Sequence, residues 1–185
     1  MKSFINFLKE ARKVRVFDFD DTLVKKTKSK VIIRNKKTGE TKELTSGEFA
    51  SFKPEDDHEL DFSGFAHVGD AEPLNPADKI ARKTSRKKKE VVILTARPRE
   101  AAPNIRKYLK KRGIRGKKLT ILAVGSSDPN AKRVALKDYI TKKNKKPVSH
   151  VEFMDDHQAN VEAVGSLKKE MPHIKFRLRV VKPHK

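Results

Sequence analysis

Short runs of consecutive apolar residues recur along the chain and predict the buried strands of one sheet. They lie at residues 14–17, 91–94, 119–124 and 148–154. A strand that is apolar on both faces is typical of a parallel sheet covered by helices. A last run, residues 174–180, alternates apolar with basic side chains and predicts a half-exposed strand near an edge of that sheet.

Segments with helical periodicity separate the predicted strands. Apolar residues at helical spacing predict helices over about residues 76–88, 102–112, 131–140 and 158–169, and Gly113 ends the second of them. Strand and helix therefore alternate. This alternation predicts an α/β fold, a doubly wound parallel sheet that binds ligands at the carboxyl ends of its strands.

A segment from about residue 24 to 71 interrupts this alternation and predicts a small insertion. Two β-prone runs, residues 31–34 and 41–44, flank a polar loop that contains Gly39, which predicts a β-hairpin. We interpret the insertion as a flap or cap over the ligand site of a core that spans residues 14–185.

Three features follow the hairpin within the insertion. Residues 46–49 predict the start of a helix, and Phe62 is expected to pack onto the main domain. The Asp-Asp-His run at residues 56–58 is interpreted as a solvated loop, with a metal site as the alternative.

Residues 1–13 predict a short amphipathic helix, either docked on the domain or serving as a leader. They resemble the capsid-targeting leader of internal head proteins in T-even-type tailed phages, which is removed after an apolar-x-Glu site. Here Leu8-Lys9-Glu10 matches that site. The resemblance implies cleavage before Ala11 and a place in the virion head.

The net charge of the chain indicates the class of partner that it binds. The 185 residues suit one domain, and 45 Lys and Arg against 24 Asp and Glu give a formal charge of +21. Such a field attracts polyanions, so we expect nucleic acid, bound independently of sequence, as the partner. A solubilising basic surface is the alternative.

The composition also excludes several classes of protein. No cysteine is present, which excludes disulfides and thiolate metal sites and fits a reducing compartment. No apolar run approaches the ~20 residues that span a bilayer. We expect a soluble cytoplasmic protein without a membrane partner, in the host cytoplasm if a phage encodes it. The oligomeric state is left open.

Carboxylates end the first predicted strand and are the first candidate chemistry. Asp18 and Asp20 are two residues apart, so an extended chain points both the same way. Two like charges at one strand end are costly unless a cation or a reaction needs them. A polar turn after the strand is the simpler alternative.

Two other predicted strands also end in polar residues. Thr95 closes the second strand, and Asp155 and Asp156 close the fourth. Carboxyl ends of parallel strands meet at one edge of the sheet, so these groups are expected to lie beside Asp18 and Asp20.

Together these motifs resemble the haloacid dehalogenase (HAD) superfamily of phosphotransferases. The matching features are Asp-x-Asp-x-Thr-Leu at residues 18–23, the strand ending in Thr95, a lysine that opens a helix, and Asp-Asp-x-x-x-Asn at residues 155–160. The resemblance covers about residues 14–180 without the insertion. It implies a Rossmann-like HAD core.

The resemblance also implies roles for the acidic residues. Asp18 matches the nucleophile that forms an aspartyl-phosphate, and Asp20 matches the general acid and base. The implied cofactor is Mg²⁺, held by Asp18, by the backbone carbonyl of Asp20 and by Asp156. Asp155 contributes directly or through another ligand.

The remaining motif residues are implied to bind phosphate or to hold loops. Thr95 would hydrogen-bond the phosphoryl group, and Lys132 would balance its charge. Lys137, further along the same predicted helix, is the alternative lysine. Thr22 and Asn160 would hold the loops in place.

The Thr95-Ala96-Arg97 segment resembles the 3′-phosphatase domain of phage polynucleotide kinase, which implies that Arg97 binds substrate. The chain lacks the glycine-rich loop of a kinase half. We therefore expect a Mg²⁺-dependent phosphomonoesterase that acts on nucleic-acid ends. The alternatives are a phosphatase of mononucleotides or other small phosphates, and a basic DNA-binding virion protein.

Overall fold

The helices and strands alternate through a computed structural model of the chain. It describes residues 11–25, 29–45, 48–49, 52–66, 68, 71–142 and 146–182. In chain order, the strands are β1 (Arg12–Phe17), β2 (Val24–Lys25), β3 (Lys30–Asn35), β4 (Thr41–Thr45), β5 (His58–Asp61), β6 (Glu72–Pro73), β7 (Glu90–Thr95), β8 (Leu119–Ala123), β9 (Val148–Asp155) and β10 (Lys175–Val180). The α-helices are α1 (Ala77–Arg86), α2 (Ala102–Lys111), α3 (Pro129–Thr141), α4 (Gln158–Gly165) and α5 (Leu167–Glu170).

Five parallel strands form the central sheet in the order β10-β9-β1-β7-β8. The chain runs outward from β1 through β7 to β8, and then returns to the other side of β1 through β9 to β10. Strand order therefore reverses beside β1, and an open α/β sheet binds ligands at the carboxyl end of such a reversal. The predicted doubly wound α/β fold is confirmed.

Helices cover the two faces of this sheet. On one face, α3 and α4 lie over sheet side chains such as Val16 and Phe153, and Val164 of α4 is buried with them. On the other face, α1 and α2 pack against β1, β7 and β8 around Ile93 and Ile105. The predicted burial of the strands on both faces is thus observed for the centre of the sheet.

Three predicted boundaries differ from the structure. Strand β1 already begins at Arg12, so the helix predicted to reach residue 13 is wrong for its last residues; residues 1–10 lie outside the described part of the chain. Helix α3 begins at Pro129 because Asp128 caps it. The single helix predicted over residues 158–169 is divided into α4 and α5 after Gly165, a residue of low helix propensity.

The insertion forms its own antiparallel sheet, in the order β4-β3-β5. The predicted hairpin is confirmed as β3 and β4, with Val31 opposite Leu44. Strand β5 was not predicted and begins at His58, the last residue of the predicted loop, because pairing with β3 supplies the backbone partners that local propensity does not.

The insertion also has a separate apolar cluster around Val31, Leu44 and Phe49. The ring of Phe62 packs edge-to-face on Phe49 with 5.3 Å between ring centroids, and the expected packing of Phe62 onto the main domain stays a prediction. Glu48 and Phe49 are helical, whereas residues 46–47 of the predicted helix start lie outside the described residues.

A two-stranded ladder of β2 and β6 joins the insertion to the core, with Val24 opposite Pro73. The role of the insertion as a flap or cap stays a prediction. Across the described residues, no helix is both long and apolar enough to cross a membrane.

Candidate active site

Asp18 lies at the carboxyl end of β1, the central strand of the sheet. Its backbone N–H donates to the carbonyl of Met154 at 2.9 Å, so the sheet continues up to this residue, which is only 5% exposed. The chain then turns back, because the N–H groups of Leu23 and Val24 both donate to the carbonyl of Phe19. Buried apolar residues therefore hold a carboxylate at the ligand-binding edge.

Lys132 forms ion pairs with both the first and the last acidic motif. Its Nζ atom lies 2.8 Å from Asp18 Oδ1 and 2.8 Å from Asp155 Oδ2, and its side chain is 5% exposed. Lys132 reaches this position from the second turn of α3. The alternative, Lys137, is 42% exposed and pairs with Glu170 instead. The geometry selects Lys132 as the lysine of the site.

Both carboxylate oxygens of Asp155 accept hydrogen bonds from neighbouring groups. While Oδ2 accepts from Lys132, Oδ1 accepts from the backbone N–H of His157 and from Asn160 Nδ2, each at 2.9 Å. These bonds fix the loop that follows β9. Asp155 therefore contacts both Lys132 and this loop, and the expected role of Asn160 in holding the loop stays a prediction.

Asp156 accepts a hydrogen bond from the first acidic motif, residues 18–23. The hydroxyl of Thr22, which is fully buried, donates to Asp156 Oδ1 at 3.2 Å. Thr22 was expected only to hold its own loop. The contact ties the Asp18 loop to the Asp156 loop, and no local sequence signal reveals it because the two residues are 134 positions apart.

A divalent cation fits the acidic cluster. One carboxylate oxygen from each of Asp18, Asp155 and Asp156 lies within 4.8 Å of the others. Hard oxygen ligands in this number suit Mg²⁺, and among the described residues the group contains carboxylates without a sulfur or imidazole ligand. Asp18 and Asp156 are the candidate ligands, since both oxygens of Asp155 already accept hydrogen bonds. A contribution from the Asp20 carbonyl stays a prediction.

The electrostatics of the cluster point the same way. Burial and, after it, the neighbouring Asp155 carboxylate raise the pKa of Asp156 to about 6. Burial also raises the pKa of Asp18, an effect that the Lys132 ammonium opposes. Burial of Lys132 disfavours its charge, yet Asp18 and Asp155 outweigh this effect and raise its pKa. The buried surroundings therefore disfavour the charged forms of Asp18 and Asp156, and a cation bound between these carboxyl groups would favour those forms.

Arg97 and Asp20 form a pair that the sequence analysis missed. Arg97 Nε and Nη2 donate to the two carboxylate oxygens of Asp20, each at 2.8 Å, and the Arg97 side chain is fully buried. The guanidinium also lies over the Phe19 ring, 5.4 Å from its centroid. This arrangement fixes the position of Asp20. The expected role of Arg97 in binding substrate stays a prediction.

Thr95 closes the neighbouring strand β7 and is buried. Its Oγ1 accepts from the backbone N–H of Arg97 at 3.2 Å, and its carbonyl accepts from Val124 at 3.0 Å. A hydroxyl that accepts the backbone N–H keeps its own hydrogen available for another acceptor. Thr95 is therefore suited to donate to a phosphoryl oxygen.

A second group of metal-binding side chains lies in the insertion. Oxygen and nitrogen atoms of Glu55, Asp57 and His58 lie within 4.8 Å of one another. His58 Nδ1 already accepts from the Glu55 N–H at 2.9 Å, and Asp57 pairs with Lys37 at 3.2 Å. Asp57 and His58 thus already have partners within the insertion, and the choice between a solvated loop and a metal site stays a prediction.

Comparison with known proteins identifies the architecture. A scan against protein-family profiles and a search of curated proteins found no match. Among solved structures, the chain is similar to the HAD domain of the effector protein Lem4 from Legionella pneumophila, solved as an inactive mutant. The likeness covers 95% of this chain and 88% of that chain, with a TM-score of 0.56 and 14% sequence identity. At that identity it concerns the fold, and the protein has the α/β fold of a HAD domain.

Proposed function

We propose that the protein is a Mg²⁺-dependent phosphomonoesterase that removes terminal phosphates from nucleic acids through an aspartyl-phosphate on Asp18. The observation that carries the proposal is the buried cluster in which Lys132 bridges Asp18 and Asp155 while Thr22 ties in Asp156. A cluster that served folding alone would not need uncompensated carboxylates in a buried place.

In the proposed reaction, a carboxylate oxygen of Asp18 attacks phosphorus. The new bond to Asp18 forms as the bond from phosphorus to the ester oxygen breaks, and the alcohol leaves with a proton from Asp20. Water then attacks the phosphorus of the aspartyl-phosphate and gives its proton to Asp20. This second step releases inorganic phosphate and restores the Asp18 carboxylate.

The neighbouring residues support both steps. Arg97 fixes the carboxyl group of Asp20, and the Lys132 ammonium and Thr95 hydroxyl favour the negative charge that grows on the phosphoryl oxygens. Asp18 and Asp156 would hold Mg²⁺, which when bound supplies Lewis-acid neutralisation of the phosphate.

The substrate class is proposed from charge. A formal charge of +21 favours a polyanion over a small phosphate, because counterion release scales with the number of phosphates contacted. Described aromatic side chains lie mainly in the apolar clusters, which favours contacts to the backbone over stacking of bases.

The test is an assay with Mg²⁺ on oligonucleotides phosphorylated at the 3′ or the 5′ end, and on mononucleotides. We expect release of phosphate from an oligonucleotide end, foremost the 3′ end. Preference for mononucleotides would replace the proposed substrate with small phosphates, and no turnover of any of them would favour a DNA-binding protein.

Asp18→Asn tests the covalent route. The amide is a poor nucleophile, so we expect loss of at least about 10³-fold in rate, the scale of removing a catalytic nucleophile. The matched control is Asp138→Asn, an exposed aspartate on α3, which should retain activity. Activity in Asp18→Asn equal to that of the control would overturn the aspartyl-phosphate.

The resemblance to the phage polynucleotide kinase phosphatase and to a capsid leader stays a prediction. A native N-terminus at Ala11, found by mass spectrometry, would support the leader. An intact Met1 would return these residues to the docked-helix alternative.

A further inference from the structure

One face of the central sheet carries charged side chains on β1, β9 and β10. Residues of β1, β9 and β10 that stand side by side on this face form two rows across the strands. These rows are Lys13, His150 and Lys175, followed by Arg15, Glu152 and Arg177. The residues between them point to the other face and belong to the apolar core, as Val14, Val151 and Phe176 do.

This charged face lines an open groove. Helices α1 and α2 pack over β1, β7 and β8, while the side chains of β9 and β10 border a groove of about 390 Å³ and an adjoining one of about 330 Å³. The basic residues that line the two are Lys13, Arg15, Lys83, Lys87, Lys89, Lys175, Arg177 and Arg179. The acidic residue among the lining side chains is Glu152.

Glu152 neutralises only part of the positive charge of this groove. Glu152 accepts from Arg15 at 2.7 Å and lies 3.5 Å from Arg179. Within the described ranges, the side chains of Lys13, Lys89, Lys175 and Arg177 have no ion-pair partner.

His150 lies between two of these lysines, Lys13 and Lys175. Partial burial lowers the pKa of His150, and the ammonium groups of Lys13 and Lys175 lower it further. A third positive charge between these two lysines is therefore disfavoured. The row of Lys13, His150 and Lys175 therefore attracts anions through its two ammonium groups, while the imidazole of His150 stays neutral.

We propose that this groove, defined by the basic residues of β1, β10 and the end of α1, binds the phosphate backbone of single-stranded nucleic acid. Alternate residues of a strand are ~6.6 Å apart, so Lys175, Arg177 and Arg179 form a line of charges about 13 Å long. A line of separated charges in a concave groove suits a chain of phosphates, whereas a membrane surface is flat and broad.

The line of charges leads to the candidate active site. Arg179 stands beside Met154, and the next residue of β10, Val180, stands beside Asp155. A single strand of nucleic acid bound along β10 therefore approaches the edge of the sheet where Asp18 and Lys132 lie. This inference deepens the proposed function by naming the surface that holds the substrate.

The test compares two double variants with equal loss of charge. Lys175→Gln with Arg177→Gln changes the groove, and Lys110→Gln with Lys111→Gln removes the same charge from exposed positions on α2. The probe is a short fluorescein-labelled single-stranded oligodeoxynucleotide without a terminal phosphate. Its affinity is measured by anisotropy in EDTA, between about 50 and 200 mM salt.

We expect the groove variant to bind about 10- to 30-fold more weakly at about 0.1 M salt. Its slope of log affinity against log salt should fall in magnitude by about 1.4, the value for two phosphate contacts on a single strand. The α2 variant should change affinity less than about threefold. Circular dichroism of both variants checks that β10 remains folded.

Equal weakening of the two variants would overturn the proposal, because the charge would then act diffusely. Unchanged binding in the groove variant would overturn it as well. The proposal would also be overturned if the groove variant lost binding to vesicles containing phosphatidylserine but retained binding to the oligonucleotide. The groove would then bind a membrane. Binding in EDTA does not require turnover, so failure of the phosphatase assay leaves this result standing.

Discussion

Lys132 is the residue on which the acidic cluster depends. One ammonium, 5% exposed, contacts carboxylates from β1 and β9, two strands that lie next to each other in the sheet. Removing one partner of a buried ion pair leaves the other charges without compensation, which costs more than the pair itself contributes.

We predict that Lys132→Met abolishes phosphatase activity and destabilises the metal-free protein by about 3–5 kcal/mol. Urea unfolding at neutral pH in EDTA measures the loss. Lys137→Met is the matched control, and its loss should be much smaller because the Lys137 side chain is 42% exposed. Equal losses in the two variants would contradict the buried bridge.

Asp156 gives a prediction about pH. Its pKa is raised from the ordinary value of 3.8 to about 6, so between these values the folded chain binds more protons than the unfolded chain. Stability therefore falls as pH rises from about 4 to about 6 and stays lower above that range.

Asp156→Asn removes this penalty. We expect the metal-free variant to be more stable than the wild type by about 1–3 kcal/mol at pH 7.5, and about equal to it below pH 4. Chemical unfolding across this pH range checks the difference, with Asp138→Asn as the exposed control. A difference that does not change with pH would contradict the assigned pKa.

The sequence places the charged residues of the site well but not the contacts between them. Asp18, Thr95 and Asp155 each close an apolar strand, and a parallel sheet brings such ends to one edge. The bonds from Thr22 to Asp156 and from Arg97 to Asp20 depend on loop conformations, which no periodicity encodes.

At the scale of elements, α3 positions Lys132. Asp128 caps this helix, because its Oδ1 accepts from the backbone N–H of Asn130 at 2.9 Å, and Pro129 fills the first helical position. The sequence predicted the helix two residues late because its apolar side chains begin later than its cap. Strand β5 was missed for a related reason, since long-range pairing determined it.

We predict that Asp128→Ala destabilises the protein by about 1 kcal/mol, because an N–H at the start of α3 loses its acceptor. Thermal unfolding checks this value. Asp128→Asn retains a side-chain oxygen and should lose only a few tenths of that amount. If Asn were as damaging as Ala, the contribution of Asp128 would not be that of a cap.

At the scale of the whole molecule, net charge acts on stability and on binding in opposite directions. A formal charge of +21 repels itself within the folded chain, and salt screens that repulsion. The same salt weakens attraction to a polyanion.

We therefore predict that added potassium chloride raises the melting temperature while it lowers affinity for an oligonucleotide. Each kcal/mol of relieved repulsion should raise the melting temperature by about 2–4 °C for a chain of this size. Circular dichroism and anisotropy at matched salt concentrations measure both effects. A melting temperature that falls with salt would show that attractive ion pairs outweigh the repulsion.

The ladder of β2 and β6 has an evolutionary consequence. Because Val24 lies opposite Pro73, the two ends of the inserted segment lie side by side, and the first of them follows Asp20 by only a few residues. Nature or an engineer can exchange such a segment for a longer or shorter one without reordering the sheet. New specificity can thus arise beside unchanged residues of the candidate site.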